Sequence, residues 1–134
     1  MPNWLVILYL IHIGAALYWL GSTFLVAQAK GQGAERQFRF QMIAALITMI
    51  FGGMLWGKLH STGIGKIEIV LALGVLLAVA AAGVQGSLVG GSIRRLRVGV
   101  LDEATARLRI RKGERWTAAL LALALFAMVG AYHV

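Results

Sequence analysis

A chain of 134 residues that is 60% hydrophobic and only 13% charged is too apolar for a soluble domain, and its length suits one compact membrane bundle. The lack of cysteine excludes disulfides, thiolate metal sites, iron–sulfur clusters and cysteine nucleophiles. The net charge of +8 does not point to nucleic acid, because the basic residues fall between apolar runs, where they set topology.

Four apolar runs, 4–27, 40–57, 69–93 and 116–134, predict helices over about 4–29, 37–58, 67–93 and 114–133. The expected fold is all-α: an integral membrane four-helix bundle, with 1–134 as a single four-span domain. The first run contains His12-Ile-Gly-Ala-Ala-Leu-Tyr-Trp19-Leu-Gly21, an ionisable residue, two aromatics and two glycines within a charge-free stretch. His12 and Trp19, like Gly14 and Gly21, stand nearly two helical turns apart and so share a face. The glycines would let another helix approach closely. Asn3 is the expected N-cap, and Trp4 an anchor at the outer interface. Ala27-Gln28-Ala29 looks like a signal-peptidase site. The run has no preceding Lys or Arg, however, and is too long for the apolar part of a signal peptide, so it reads as a retained helix.

The first helix ends near Lys30-Gly31-Gln32-Gly33, a glycine-rich turn. The second closes on Gly53 and Gly57, a GxxxG pair, with Trp56 and Lys58 as interface anchors. A turn at 61–65 leads to the third helix, which opens with Lys66 and Glu68 and carries a second GxxxG at Gly86 and Gly90. Gln85 is its one strongly polar interior side chain and is expected to hydrogen-bond across helices. The basic 94–115 segment holds Glu103 and Arg107 at i, i+4, a pair a short interfacial or continuing helix would satisfy. It reads either as a surface for anionic lipid headgroups or as a solvated loop that only sets topology. Of the 13 basic residues, 11 lie in the first and third connections, leaving Lys58 and Lys66 on the other side. The basic side is therefore expected to be cytoplasmic, with both termini outside the inner (plasma) membrane.

All three histidines then fall in the outer half. His12 lies about 12 Å below the outer end of its helix, and Met54 and Met128 lie about 9 and 8 Å deeper than His60 and His133. Depth groups His12 with Met54 and Met128, and His60 with His133. Imidazole and thioether together favour Cu(I), so His12, Met54, His60, Met128 and His133 are candidate copper ligands, the surface pair admitting the ion and the deeper group receiving it. Haem b is the rival cofactor, since helical bundles hold cofactors between facing helices and Lys58 or Lys66 would pair with propionates. The difference in depth between His12 and His60 disfavours a bis-histidine haem. No Walker, Rossmann, HExxH, GxSxG or CxxC pattern occurs, so nothing supports a hydrolase or a nucleotide-driven machine.

His12, Trp19 and Gly21, reading H-x6-W-x-G, resemble the first helix of the membrane domain in copper-resistance protein D, and HemJ-like protoporphyrinogen oxidases are similar there. The resemblance extends loosely to the glycine-and-tryptophan end of the second helix and to the basic residue opening the third. It implies movement of copper across the inner membrane or, from the HemJ-like relatives, haem held by histidine and lysine. On that basis His12, Trp19 and Lys66 are the candidate cofactor-binding residues. Lys66 lies nearer its turn than the family's lysine, which leaves the oxidase activity without support. The expected function is therefore copper handling or transport through an outer-side His/Met site. The alternatives are a haem b redox protein and a cofactor-free accessory subunit, within a homo-oligomer or a larger membrane complex.

Overall fold

The computed structural model describes residues 2–134. It is built from α1 (Asn3–Gln28), α2 (Ala34–Leu59), α3 (Lys66–Val84), a π-helical turn (Gln85–Val89), α4 (Gly90–Arg97), α5 (Glu103–Gly130) and a closing 3-10 turn (Ala131–His133). The α3, π and α4 segments run on as one helix, so four helices are long and apolar enough to cross a membrane. No strand occurs among the described residues. The architecture is the expected all-α four-helix bundle.

Helix ends follow local chemistry. Asn3 does not cap α1; it is the first helical residue, and the carbonyl of Pro2 accepts from the amides of Leu5 and Val6. Gly31 and Gly33 take left-handed φ values of 82° and 84° and turn the chain into α2 at Ala34, three residues before the expected 37. Glu68 reaches back to the amide of Gly65 at 2.9 Å and so satisfies one of the free N–H groups at the start of α3. Asp102 caps α5, accepting from the Thr105 amide at 3.4 Å. Thr105, through its side chain and then its amide, holds the Asp102 carboxyl below the usual range.

The fourth span begins at Glu103, well before the expected 114, and the third runs on to Arg97. The 94–115 segment is thus mostly helix, interrupted only at 98–102. Packing explains the extension. Ala106, Ile110 and Gly113 recur at helical spacing and are buried. Ile110 packs with Val26, Ala34, Val89 and Ile93, closing the basic end of the bundle. Arg107 pairs with Glu103 at 2.8 Å as expected, holds both carboxylate oxygens of Glu35 at 2.6 Å, and donates to the Gly31 carbonyl at 2.9 Å. One guanidinium thereby ties α5 to the α1–α2 turn.

The central core consists of Trp19, Ala44, Ala45, Ala78, Ala81, Leu121 and Ala124. Its small residues let the helices approach closely, as suits packing where lipid is as apolar as the core. Gly74 shows the same economy: a Cβ there would meet Met128 Cγ at 2.9 Å. The glycines singled out by spacing behave differently. A Cβ at Gly14, Gly21, Gly53, Gly57 or Gly86 would touch nothing within 4 Å. Of the spaced glycines only Gly90 makes a close approach, against Phe38; the others occur at Gly52 against the His12 ring and at Gly113 against the π turn. GxxxG spacing finds glycines on one face without saying whether that face meets a helix or lipid.

Candidate functional site

Two polar arrangements lie within the bundle. The larger is a buried knot at its axis. Trp19 Nε1 donates to Gln85 Oε1 at 2.7 Å, and Gln85 Nε2 faces Thr23 Oγ1 at 3.0 Å and both oxygens of Glu114 at 3.3 Å. Gln41 Nε2 donates to Glu114 Oε2 at 3.3 Å. Trp19, Thr23, Gln41, Gln85 and Glu114 are each no more than 1% exposed. An indole N–H can only donate, so its partner must be the amide oxygen of Gln85, which turns Nε2 toward the carboxyl. Among the described residues Gln41 Oε1 is buried with no partner, so its amide is anchored from one side only. Every span contributes: Trp19 and Thr23 from α1, Gln41 from α2, Gln85 from the π turn and Glu114 from α5. Gln85 thus does bridge helices as expected. Ser87 Oγ, donating to the Gly83 carbonyl at 2.7 Å, covers a backbone group beside the π turn.

The second arrangement is His12. Its Nδ1 lies 2.8 Å from the Thr48 carbonyl oxygen, and its ring lies close enough to α2 that a Cβ at Gly52 would sit 2.8 Å from Cε1. A carbonyl oxygen only accepts, so Nδ1 carries the proton, and in the neutral ring Nε2 keeps its lone pair. Thr48 spends its own hydroxyl on the Ala44 carbonyl at 2.7 Å. The partner of His12 is therefore main chain. The polar side chains nearest in the sequence pattern are engaged elsewhere: Tyr18 donates to Gln37 at 2.9 Å, and Gln85 belongs to the knot.

The remaining predicted ligands disperse. Met54 is exposed and lines a cleft of about 600 Å³ at the end of the bundle where α1 begins, with Trp4, Ile7, Leu8, Gly57 and Lys58; there the Lys58 ammonium stands 5.6 Å over the Trp4 ring. It shares the α1–α2 seam with His12 but opens toward lipid. Met128 lies in the α3–α5 seam against Gly74. His60 has both ring nitrogens engaged, Nδ1 with Glu68 at 2.9 Å and Nε2 with Tyr132 at 3.2 Å. His133 is exposed in the final turn, and Lys66 is exposed at the start of α3. Trp19, expected on one face with His12, spends its N–H on Gln85. Among the described residues no three His, Asp or Glu side chains converge as a metal cluster.

Glu114, Gln41 and Thr23 do not stand out in the sequence. Glu114 sits between Lys112 and Arg115, so charge alone merges it with the basic segment. Its signal is periodicity, because Ile110, Glu114, Thr117, Leu121 and Ala124 form one helical stripe, and all are buried.

The fold and these sites define a multi-pass helical membrane protein with a polar knot on its axis and one main-chain-oriented histidine above it. No family model, curated protein or solved structure matches this chain.

Proposed function

We propose that this protein binds a soft metal ion in the membrane through His12 Nε2, with copper as the cargo. The carrying observation is the 2.8 Å contact between His12 Nδ1 and the Thr48 carbonyl. Donation from one ring nitrogen to a carbonyl is how metal-binding histidines are oriented, and it leaves the other nitrogen neutral and available. Met54 stands on the same helix pair, in a cleft whose lining does not include His12, so its thioether would have to turn inward to serve as the second soft donor; imidazole with thioether suits Cu(I). His60, paired with Glu68 and Tyr132, Met128 in the α3–α5 seam and His133 in the final turn lie apart from His12 and are not part of this site. The H-x6-W-x-G resemblance to copper-resistance protein D supports the same reading. The distribution of basic residues supports insertion in the inner membrane with both termini outside.

A second reading, haem b bound in a HemJ-like manner, is favoured by one feature. Only one nitrogen ligand is pre-set, and haem iron needs a single axial histidine, whereas copper needs at least two donors. Lys66, exposed near the outer turn, would then meet a propionate rather than iron.

Purified protein distinguishes the two. Cu(I) competition against a chromophoric chelator should show binding that His12→Ala weakens by roughly tenfold or more and Met54→Ala weakens less. A Soret band lost in His12→Ala would move the assignment to haem. Unchanged Cu(I) affinity in His12→Ala, with no Soret band in the parent protein, would refute both and leave an accessory role in a larger complex.

A further inference from the structure

At the basic end of the bundle, a cleft of about 540 Å³ opens between α2 and α4, lined by Glu35, Arg36, Phe38, Arg39, Phe40, Ile93 and Arg97. We propose that it is a binding site for the phosphate of an anionic phospholipid whose glycerol and upper acyl chains lie on Phe38, Phe40 and Ile93. The inference is independent of what His12 binds.

Charge carries the first part of the argument. Arg36, Arg39 and Arg97 are exposed, and none of them has a carboxylate within salt-bridge distance among the described residues. The one acid in the cleft, Glu35, has both oxygens held by Arg107 at 2.6 Å and acts on Arg97 only through space, so at most a part of the charge of the three arginines is offset. All three cations are arginine, whose planar fork matches phosphate oxygens in pairs and is less strongly hydrated than an ammonium.

Shape and position carry the second part. Phe38 packs flush against the third span, since a Cβ at Gly90 would meet its Cζ at 2.6 Å; this closes the apolar floor of the cleft. Phe40 is exposed beside it, with the Arg39 guanidinium 5.0 Å from its ring centroid. Guanidinium over aromatic, beside an apolar floor, is the layering of a membrane interface, with headgroup above and chains below. The basic 94–115 segment thus contributes Arg97 to this site. Its exposed Arg109, Lys112 and Arg115 are not part of the cleft lining.

Native mass spectrometry on protein in nanodiscs of phosphatidylcholine with a minor share of phosphatidylglycerol tests the site. The parent protein should retain phosphatidylglycerol after transfer to pure phosphatidylcholine, and inorganic phosphate should not displace it. The triple variant Arg36→Gln, Arg39→Gln, Arg97→Gln should lose affinity by roughly a hundredfold if each cation contributes as it does near an anionic surface. The equally discharged control Arg109→Gln, Lys112→Gln, Arg115→Gln should retain the lipid. Arg36→Lys, Arg39→Lys, Arg97→Lys keeps the charge, guards against misfolding, and should lose the share of retention that comes from the paired donors of the guanidinium, falling between the parent protein and the glutamine triple. Equal loss in both glutamine triples, full retention in the lysine triple, or displacement by inorganic phosphate would each overturn the proposal.

Discussion

Leucine in place of Gln85 would keep much of its volume and remove every hydrogen bond it makes at the bundle axis. The Trp19 N–H and the Thr23 hydroxyl would lose their partner there, and Glu114 would keep only Gln41. A single interhelical bond in a membrane contributes about 0.6 kcal/mol, while an orphaned buried group costs about 1–3 kcal/mol. Gln85→Leu should therefore destabilise the protein by about 2 kcal/mol, read as a lower midpoint of thermal unfolding in detergent; an unchanged midpoint would mean the knot contributes little. Glu114→Gln should behave in the opposite way. Its amide can donate to Gln41 Oε1 once the Gln41 side-chain amide turns over, which exchanges one unpartnered atom for another, while its oxygen still accepts from Gln85 and no carboxyl is left buried. The midpoint should stay level or rise, and a clear fall would show that the carboxyl is required as such.

Neighbouring glycines of α2 separate spacing from contact. Gly53 belongs to the GxxxG pair, yet a Cβ there meets nothing, whereas at Gly52 it would press on the His12 ring. Gly53→Ala should be neutral or stabilising by up to ~1 kcal/mol through helix propensity. Gly52→Ala should cost about 1–3 kcal/mol as His12 and α2 are forced apart. Parallel unfolding curves of the two variants check this, and the reverse order would restore the GxxxG face as the packing face. The π turn poses a related test in the third span. Gly113 packs so closely on the π turn that a Cβ there would lie 2.9 Å from Val89 Cγ2. Gly113→Leu should therefore push α5 off the π turn and loosen the Gln85–Glu114 contact. Faster amide exchange across 85–93 would register it, and unchanged exchange there would argue against the packing account.

For the whole molecule, a reporter fused after Val134 should be active only outside the cytoplasm, since 11 of 13 basic residues crowd the opposite side. Cytoplasmic activity would invert the bundle and set the Arg36–Arg39–Arg97 cleft against the outer leaflet. Helix number, helical class and the crowding of basic residues at one end are legible in the sequence because they depend on hydropathy and charge added up along the chain, which need no partner. The site is much less legible. His12 and Gln85 stand out as lone polar groups in apolar runs, but Glu114 is masked by the cations beside it, and Met54 and Met128 group with His12 by depth alone. Depth follows from residue number at a fixed rise per residue, whereas facing depends on how far each helix is turned about its own axis. A lipid-bathed helix is apolar all round, so little in its composition marks the inward side. That rotation is settled by contact: Gly52 under His12, Gly90 under Phe38, Gly113 on the π turn, and the Trp19–Gln85 bond between α1 and the third span. Those contacts join residues far apart in the chain, which is why Glu114 meets Gln85 and Gln41 while Met54 turns toward lipid.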